Sequence, residues 1–256
     1  MVESVPKTAL VTGAATRIGR AIALDLAVAG WSVAVHYRRS EKEALAVVDE
    51  IRRQGGNAAP ARADLSVESE TAALLPLVHR TLGPVGCLVN NASEFERDEI
   101  LDMTRASWDT HMETNLRAPA FLMQEMARRL PENHHGAIVN VLDQRVWNVT
   151  PHFVSYTLSK AGLWVLTQTM ALALAPRLRV NAVGPGPVLP SKRQTQEDFD
   201  RQVAMLPLQR SSGPGDIAAA VRFILAMSSM TGQMIALDGG QHLGWAQPAG
   251  TTETVE

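Results

Sequence analysis

Cysteine is almost absent from this chain of 256 residues, since Cys87 is the only one. That scarcity excludes an internal disulfide and any cysteine-based metal cluster. Cys87 lies in the run GCLVNN, which predicts a buried thiol in a strand rather than a nucleophile. No group of histidine and carboxylate residues has metal-ligand spacing, so we predict no metal site.

An excess of charge of one sign is also missing, because 24 lysines and arginines face 26 aspartates and glutamates. This balance disfavours nucleic acid or an anionic membrane as a partner and favours a small molecule. No apolar run has membrane-spanning length, and the first residues, MVESVPK, do not resemble a signal peptide. We therefore expect a cytoplasmic protein.

Short valine-rich runs alternate along the chain with longer segments of helical period, as in repeated βαβ units. Strands are predicted at Ala9–Val11, Ser32–Val35, Ala58–Ala61, Cys87–Val89, Ala137–Val141, Arg179–Ala182 and Met234–Leu237. Helices are predicted near Ile18–Ala29, Glu41–Gln54, Val67–Leu82, Arg105–Leu130, Phe153–Ala175 and Gly215–Met227. The pattern predicts an α/β fold, a doubly wound seven-stranded parallel sheet with helices on both faces, and a ligand crevice at the carboxyl ends of the strands.

Two stretches interrupt this rhythm. Residues 184–210 are rich in proline and charge, which indicates a loop with one short helix that closes over a substrate, or a plain connector. Residues 247–256 are polar and indicate a frayed tail. We therefore expect one domain over residues 1–246, followed by the tail.

A glycine-rich turn, TGAATRIG, follows the first predicted strand and leads into a helix. Gly13 and Gly19 would let the backbone approach a pyrophosphate at the helix N-terminus, with Ile18 beside them. Arg17 stands where a dinucleotide fingerprint usually has another glycine, so it adds a cation near the phosphates or near an anionic substrate ring.

The second strand ends in a basic run, His36, Tyr37, Arg38, Arg39 and Ser40, where an NAD site usually has an acidic residue. Guanidinium and hydroxyl donors suit a 2′-phosphate, so the expected cofactor is NADPH/NADP+. The alternative is a solvated strand end that is basic by chance.

Further candidate cofactor residues follow the later strands. Asp64 could accept from an adenine amino group beside Leu65, and small residues leave room beneath a ribose. The last of these segments, GPGP, predicts a rigid turn along the nicotinamide edge. The residues concerned are Asp64, Leu65, Asn91, Ala92, Ser93, Pro185 and Gly186.

A Tyr-x-x-x-Lys pair, Tyr156 and Lys160, lies in the run VSYTLSKAG, with Asp143 thirteen residues before the tyrosine. Four residues of helix place both side chains on one face, so the ammonium of Lys160 could favour ionisation of the Tyr156 phenol. A phenol with a pKa near ~10 becomes a useful acid when a cation lowers it.

Taken in order, TGAATRIG, NNAS, the helical Asn115, YTLSK, GPGP and LDGG resemble the short-chain dehydrogenase/reductase family across essentially the whole chain. The resemblance implies a Rossmann-type domain in which Tyr156 donates the proton. It also implies that Lys160 binds the nicotinamide ribose, that Tyr156 and Lys160 both contact the cofactor, and that Asn115 holds a water of the proton relay. Members of this family are commonly tetrameric.

Asp143 occupies the place of the family's catalytic serine. A carboxylate accepts hydrogen bonds, so it would suit a C=N substrate with N–H donors better than a ketone. Asp143, Arg17, the HYRRS run and NNAS followed by Phe95 resemble the pteridine reductase branch, which includes bacterial dihydromonapterin and dihydrofolate reductases. That likeness implies that Phe95 stacks on a pterin, and that Arg17, Ser93, Asp143 and Tyr156 also bind the substrate.

Alternatives remain for several residues. Asp143 could pair with Arg145 in a protein that has lost serine-type catalysis, and Phe95 could simply pack beneath a loop. Trp147 and Trp164 suit the core or a subunit contact. For the whole chain, the leading interpretation is an NADPH-dependent dihydropterin reductase; the alternatives are a carbonyl reductase or alcohol dehydrogenase, and a non-catalytic NADP(H)-binding protein.

Subunit packing is predicted from two long helices, near Arg105–Leu130 and Phe153–Ala175, that carry apolar residues on more than one face. The residues concerned are Met123, Met126, Leu163, Trp164 and Leu166. We expect a homotetramer, with a homodimer as the alternative.

Overall fold

Seven strands form one parallel sheet in the computed structural model, which describes residues 5–191 and 193–244. They are β1 (Thr8–Val11), β2 (Ser32–Tyr37), β3 (Ala58–Arg62), β4 (Val85–Asn90), β5 (Gly136–Val141), β6 (Leu178–Pro185) and β7 (Met234–Leu237). Their order is β3-β2-β1-β4-β5-β6-β7, and every neighbouring pair is parallel. This confirms the predicted doubly wound sheet in a single domain.

Helices connect the strands and cover both faces of the sheet. They are α1 (Arg17–Val28), α2 (Glu41–Arg53), α3 (Glu68–Leu82), α4 (Arg105–His111), α5 (Ala118–Arg129), α6 (Val154–Ala173), α7 (Gln196–Ala204) and α8 (Pro214–Ala226). Buried residues of α1, α2 and α8 form one apolar cluster with the sheet, and buried residues of α3, α5 and α6 form the other. In β2, Val33 and Val35 belong to the first cluster and Ala34 to the second, as strand alternation requires.

The crossing point of the sheet lies between β1 and β4, because the chain winds outward from β1 in one direction and from β4 in the other. Ligands of such sheets bind outside the carboxyl ends of the strands next to this point. The turns after β1, β4 and β5 therefore carry the candidate site.

One predicted helix is wrong in detail. The segment Arg105–Leu130 comprises α4, a π-helical turn at Met112–Arg117 and then α5. A π-turn inserts one extra residue in the hydrogen-bond ladder and is frequent at functional sites. Here the turn contains Asn115, whose side chain is hydrogen-bonded to another part of the chain.

The other boundaries agree within a few residues, with one consequence for the site. Strand β6 continues through Gly184 and Pro185, which pair with Ala236 and Leu237 of β7. The predicted GPGP turn is therefore partly strand, because the sheet edge offered by β7 extends the pairing. Beyond it, the short helix expected within residues 184–210 is confirmed as α7.

The apolar helix residues used to predict subunit packing are covered within one chain. Met123, Met126 and Leu163 are buried, and Trp164 and Leu166 pack against the same core. The exposed apolar residues of α6 are instead Leu158, Val165 and Leu172, spaced seven residues apart. Among the described residues, no helix is long and apolar enough to cross a membrane.

Candidate active site

The turn between β1 and α1 requires glycine at two positions. Gly13 has φ +62°, and a Cβ added there would lie 3.1 Å from the Cα of Ala92. A Cβ on Gly19 would lie 2.1 Å from the Gly13 carbonyl oxygen, which no side chain could tolerate. The turn thus packs its backbone against the end of β4 and presents the start of α1 to the crevice.

Arg17, the first residue of α1, has a left-handed backbone with φ +53°. A non-glycine residue in this region is strained, and such strain concentrates at functional sites. Its guanidinium donates to the carbonyl oxygens of Leu189 at 3.2 Å and Pro190 at 3.1 Å. Arg17 therefore connects the predicted phosphate turn with the segment that follows β6.

His36, predicted as a cofactor-binding residue of the basic run, has both ring nitrogens in contact with the protein. It is 2% exposed, accepts a hydrogen bond from the Gly13 backbone N–H at Nδ1, and contacts the Ala63 carbonyl oxygen through Nε2 at 3.1 Å. Burial lowers the pKa of His36 to about 4, so the ring is neutral. Since both nitrogens are used, His36 fixes the glycine turn instead of binding a 2′-phosphate.

Arg38 is one of the two guanidinium groups of the basic run. Its Nη1 forms an ion pair with Glu94 Oε1 at 2.6 Å across the crevice. Tyr37 is mostly buried and donates to Glu41, while Arg39 and Ser40 line the same crevice. The sequence did not single out Glu94, because a single acidic residue after NNAS has no motif of its own.

The predicted cofactor residues all line one of two joined cavities. Those in the first cavity are Gly13, Arg17, Ile18, Gly19, His36, Tyr37, Arg38, Arg39, Ser40, Asp64, Leu65, Asn91, Ala92 and Ser93. The second cavity, of about 410 Å³, contains the predicted Arg17, Ser93, Phe95, Asp143, Tyr156, Lys160, Pro185 and Gly186. The two share Arg17, Ile18, Asn91, Ser93 and Glu94, so an elongated ligand could span both.

Asp143 and Tyr156 are directly hydrogen-bonded. The Tyr156 hydroxyl donates to Asp143 Oδ2 at 2.8 Å, and the Arg145 backbone N–H donates to Asp143 Oδ1 at 2.8 Å. Burial raises the pKa of Tyr156 well above its ordinary value. The negative charge of Asp143 raises it further, whereas the positive charge of Arg145 lowers it. Tyr156 is therefore held as a protonated phenol.

Lys160 lies near Tyr156, as the helical spacing predicted, with its Nζ 5.8 Å from the centroid of the Tyr156 ring. Its Nζ donates to the Val141 carbonyl oxygen at 2.9 Å, and the side chain is 2% exposed. Burial lowers the pKa of Lys160 to about 8, opposed by the Asp143 charge. The Arg145 charge lowers the pKa of Tyr156. The ammonium of Lys160 is hydrogen-bonded to a backbone carbonyl oxygen at the end of β5.

Phe95 packs against other aromatic side chains and also faces the second cavity, so stacking on a substrate stays a prediction. It lines the second cavity and stacks on Phe153, with ring centroids 4.6 Å apart and planes within 4°. Its ring also meets Tyr156 edge-on at 4.7 Å, and the Arg145 guanidinium lies 4.9 Å from the Phe153 centroid. Phe153 has φ +58°, so a strained residue at the start of α6 holds this aromatic cluster.

Behind Tyr156 lies a buried polar network that the sequence did not reveal. The Ser155 hydroxyl donates to Asp98 Oδ2 and the Ser155 N–H donates to Asp98 Oδ1. His111 accepts from the Glu96 N–H at Nε2, so its Nδ1–H donates to Ser155 Oγ at 2.6 Å. Burial alone would raise the pKa of Asp98, but its hydrogen bonds with Ser155 lower that pKa below the ordinary value. Burial lowers the pKa of His111.

Asn115 belongs to the same region, and its side chain contacts protein groups at both ends. Its Oδ1 accepts from the Glu94 N–H at 2.8 Å, and its Nδ2 donates to the Glu94 carbonyl oxygen at 2.9 Å and to Ser159 Oγ at 3.1 Å. The Asn115 side chain therefore fixes the segment between NNAS and Phe95, and the water that the resemblance implies at Asn115 stays a prediction. We call Asp98, His111, Ser155, Asn115 and Ser159 the rear network.

The segment after β6 forms part of the wall of the second cavity. Arg193 donates to the Phe95 carbonyl oxygen at 2.8 Å and pairs with Glu96 at 2.6 Å, while Arg17 holds Leu189 and Pro190. Phe199 and Gln202 of α7 also line the cavity. The tail predicted at residues 247–256 lies outside the described residues.

Comparisons with known proteins agree on the class of enzyme and differ in the named substrate. A family model described as Enoyl-(Acyl carrier protein) reductase matches residues 13–242. The 3-oxoacyl-[acyl-carrier-protein] reductase FabG of Staphylococcus epidermidis is 34% identical over 242 residues, covering 93% of this chain and 99% of that protein.

Among solved structures, the FolM alternative dihydrofolate reductase 1 of Brucella canis, complexed with NADP, is 49% identical with a TM-score of 0.92. The match covers 95% of this chain and 97% of that one. The landomycin C-6 ketoreductase LanV, with bound NADP and rabelomycin, is 31% identical with a TM-score of 0.84, over 94% of this chain and 98% of that one.

Proposed function

Because the chain belongs to the short-chain dehydrogenase/reductase family, we propose that it is an NADPH-dependent reductase of a dihydropterin-type C=N bond. The observation that carries the proposal is the hydrogen bond from Tyr156 to Asp143 at 2.8 Å. Asp143 accepts hydrogen bonds at both oxygens, and such an acceptor suits a substrate that carries N–H donors better than a ketone, which carries none. The 49% identity to the FolM reductase supports the same substrate class.

The first cavity fits a nicotinamide dinucleotide phosphate. Gly13 and Gly19 bring the backbone and the start of α1 to the crevice, as a pyrophosphate requires. Arg38 and Arg39 at the strand end would hold a 2′-phosphate, and Lys160 would hold the nicotinamide ribose. The NADP in the related structures agrees with this assignment.

The chain's own residues then control the proton. A bound NADPH would supply the hydride for the electron-poor carbon of the substrate. Tyr156 would give its hydroxyl proton to the substrate nitrogen, and Arg145 would stabilise the phenolate that remains, since it lowers the pKa of Tyr156. Phe95 would stack on the heterocycle, while Arg17 and Arg193 hold the segment after β6 over the cavity and keep water out.

Ketone reduction is the second candidate, and the identities to FabG and LanV favour it. The discriminating experiment follows NADPH oxidation with dihydrobiopterin, dihydromonapterin and dihydrofolate beside ketones, aldehydes and a 3-oxoacyl thioester. Turnover confined to pterins and abolished in both Asp143→Ser and Tyr156→Phe supports the proposal. Turnover on carbonyls that survives Asp143→Ser refutes it.

A homotetramer is part of the proposal, and the exposed Leu158, Val165 and Leu172 of α6 support it. Light scattering on the purified protein gives the subunit number. Leu172→Lys, at the most exposed of the three positions, is expected to lower it. A monomeric wild-type protein would contradict this assignment, and a dimer would restrict it to one interface.

A further inference from the structure

The side chains around the second cavity carry an excess of positive charge. Among the described residues, four basic and two acidic side chains line it: Arg17, Arg145, Lys160, Arg193, Glu94 and Asp143. Glu94 is already paired with Arg38 of the first cavity, which offsets one of the two negative charges. A site lined mainly by one sign of charge attracts ligands of the opposite sign. The uncharged ring of a dihydropterin does not account for this excess.

Three of the basic residues already have a place in the proposed reaction. Arg17 and Lys160 lie beside the proposed cofactor, and Arg145, which is 5% exposed, would stabilise the phenolate of Tyr156. Arg193 is the fourth. Its side chain is 33% exposed and also lines the cavity, so both solvent and a bound ligand can reach the guanidinium.

Arg193 already binds a carboxylate, that of Glu96. Its Nη1 lies 2.6 Å from Glu96 Oε2, and its Nη2 donates to the Phe95 carbonyl oxygen at 2.8 Å. The Glu96 side chain is 64% exposed, and an ion pair so close to solvent is weak. A carboxylate of a ligand could therefore replace that of Glu96 at Nη1 while Nη2 keeps its contact with Phe95.

The guanidinium of Arg193 also lies beside the ring on which the substrate is proposed to stack. Its central carbon is 5.4 Å from the centroid of Phe95 and 5.8 Å from that of Phe153. Because these two rings are stacked in parallel, nearly equal distances place Arg193 at the edge of the pair and not over the outer face of Phe95. A side chain that extends from a heterocycle stacked on Phe95 towards solvent would therefore lie within reach of Arg193.

We infer that the substrate carries a carboxylate on the side chain of its heterocycle and that Arg193 binds this carboxylate in place of Glu96. The inference rests on the proposed function, because it takes the heterocycle to be stacked on Phe95. Arg193 then determines specificity by charge, since a guanidinium binds a carboxylate more strongly than a neutral side chain. Glu96 acts as an internal competitor that occupies the guanidinium when no such substrate is bound.

Two ligands that differ only in the charge of the side chain test this inference. With NADP+ present, folic acid and its diamide, in which both side-chain carboxylates are carboxamides, are titrated against the protein by calorimetry. Wild type should bind folic acid about fivefold more tightly than the diamide, as a partly exposed ion pair allows. This preference should decrease as the salt concentration rises.

Two substitutions should change the preference in opposite directions. Arg193→Met removes the guanidinium, so the preference for folic acid should fall below about twofold. Glu96→Gln removes the competing carboxylate and keeps Arg193, so the preference should rise by about twofold. The matched control is Arg201→Met, which removes an arginine of the same segment that pairs with Glu197 and Asp198 on α7. This control should keep the preference of wild type.

The outcomes separate this inference from the proposed function. Equal affinity of wild type for folic acid and the diamide, or a preference that persists in Arg193→Met, overturns the inference even if dihydropterin turnover is intact. A similar loss of preference in Arg193→Met and Arg201→Met also overturns it, because the effect would then depend on net charge alone. If Arg193→Met does not fold, an unchanged preference in Glu96→Gln refutes the role of Arg193. A wild-type protein that binds neither ligand and reduces ketones refutes the proposed function as well.

Discussion

The two sides of Tyr156 differ in how their polar groups are used. In the rear network, Asp98, Ser155 and His111 form a chain in which each donor meets an acceptor. On the cavity side, the Tyr156 hydroxyl donates to Asp143 Oδ2, and both residues line the second cavity. The rear side resembles a scaffold that fixes position, whereas the cavity side keeps groups available for a ligand. Substitutions behind Tyr156 should therefore affect stability, and substitutions in front of it should affect activity.

Asp143→Asn is expected to give the largest effect on activity. The substitution replaces the charged acceptor that orients the Tyr156 hydroxyl by a neutral amide, so the acid is no longer held in place and kcat for a dihydropterin should fall by about 10²–10⁴-fold. The melting temperature should change little, because Asp143 is only partly buried. Stopped-flow single turnovers with NADPH would separate this loss from product release. A kcat within threefold of wild type would place the proton control elsewhere.

Ser155→Ala tests the opposite side. It leaves Asp98 and the Nδ1–H of His111 without their shared partner, both in a buried site, so the free energy of unfolding should fall by about 3 kcal/mol. Urea denaturation measures the change. Ser66→Ala is the matched control, since it removes an exposed Ser–Asp hydrogen bond and should cost under ~1 kcal/mol. Similar losses in the two variants would show that the rear network contributes no special stability.

The backbone of the site could be predicted from the sequence because it follows from strong local patterns. Alternation of apolar runs placed all seven strands, and glycine at positions 13 and 19 located the turn after β1. The π-turn at Met112–Arg117 could not be predicted, because it accompanies the contact of Asn115 with Glu94, a segment distant in sequence.

The hydrogen-bond partners of side chains were predicted less well, because they depend on which polar groups the tertiary structure brings together. Helical spacing placed Lys160 near Tyr156, yet the Val141 carbonyl oxygen binds the ammonium. His36 was predicted to bind the cofactor as part of the basic run, yet the Gly13 N–H and the Ala63 oxygen use both of its nitrogens. Spacing gives neighbours, whereas hydrogen-bond partners require the tertiary structure.

The same contrast extends to the first cavity, where Arg38 is paired with Glu94 in a contact that a ligand could replace. A 2′-phosphate would compete with Glu94 for the guanidinium, so Arg38→Ala should weaken NADPH binding by about 30-fold, near 2 kcal/mol, and NADH binding little. Glu94→Gln should act in the opposite direction and tighten NADPH binding. Fluorescence titration with both cofactors measures this. Parallel changes for NADPH and NADH would remove Arg38 from 2′-phosphate recognition.

His36 belongs to the same basic run as Arg38, but contacts with the protein occupy both of its ring nitrogens. We expect the smallest of these effects from it, on the free energy of unfolding. Its pKa is lowered by burial from 6.5 to about 4, so between these values the unfolded chain binds a proton that the folded chain excludes. The stabilisation is complete above pH 6.5 and is lost as the pH falls towards 4. Between pH 7.5 and 5.5 this single group should cost about 1.4 kcal/mol of unfolding free energy. The glutamine in His36→Gln does not titrate, so the unfolding free energy of this variant should fall by about 1.4 kcal/mol less than that of wild type between pH 7.5 and 5.5. Other buried histidines such as His111 contribute equally to the wild type and the variant. Identical pH dependence in the two proteins would mean that His36 is accessible to protons in the folded state, and the glycine turn would then depend on another contact.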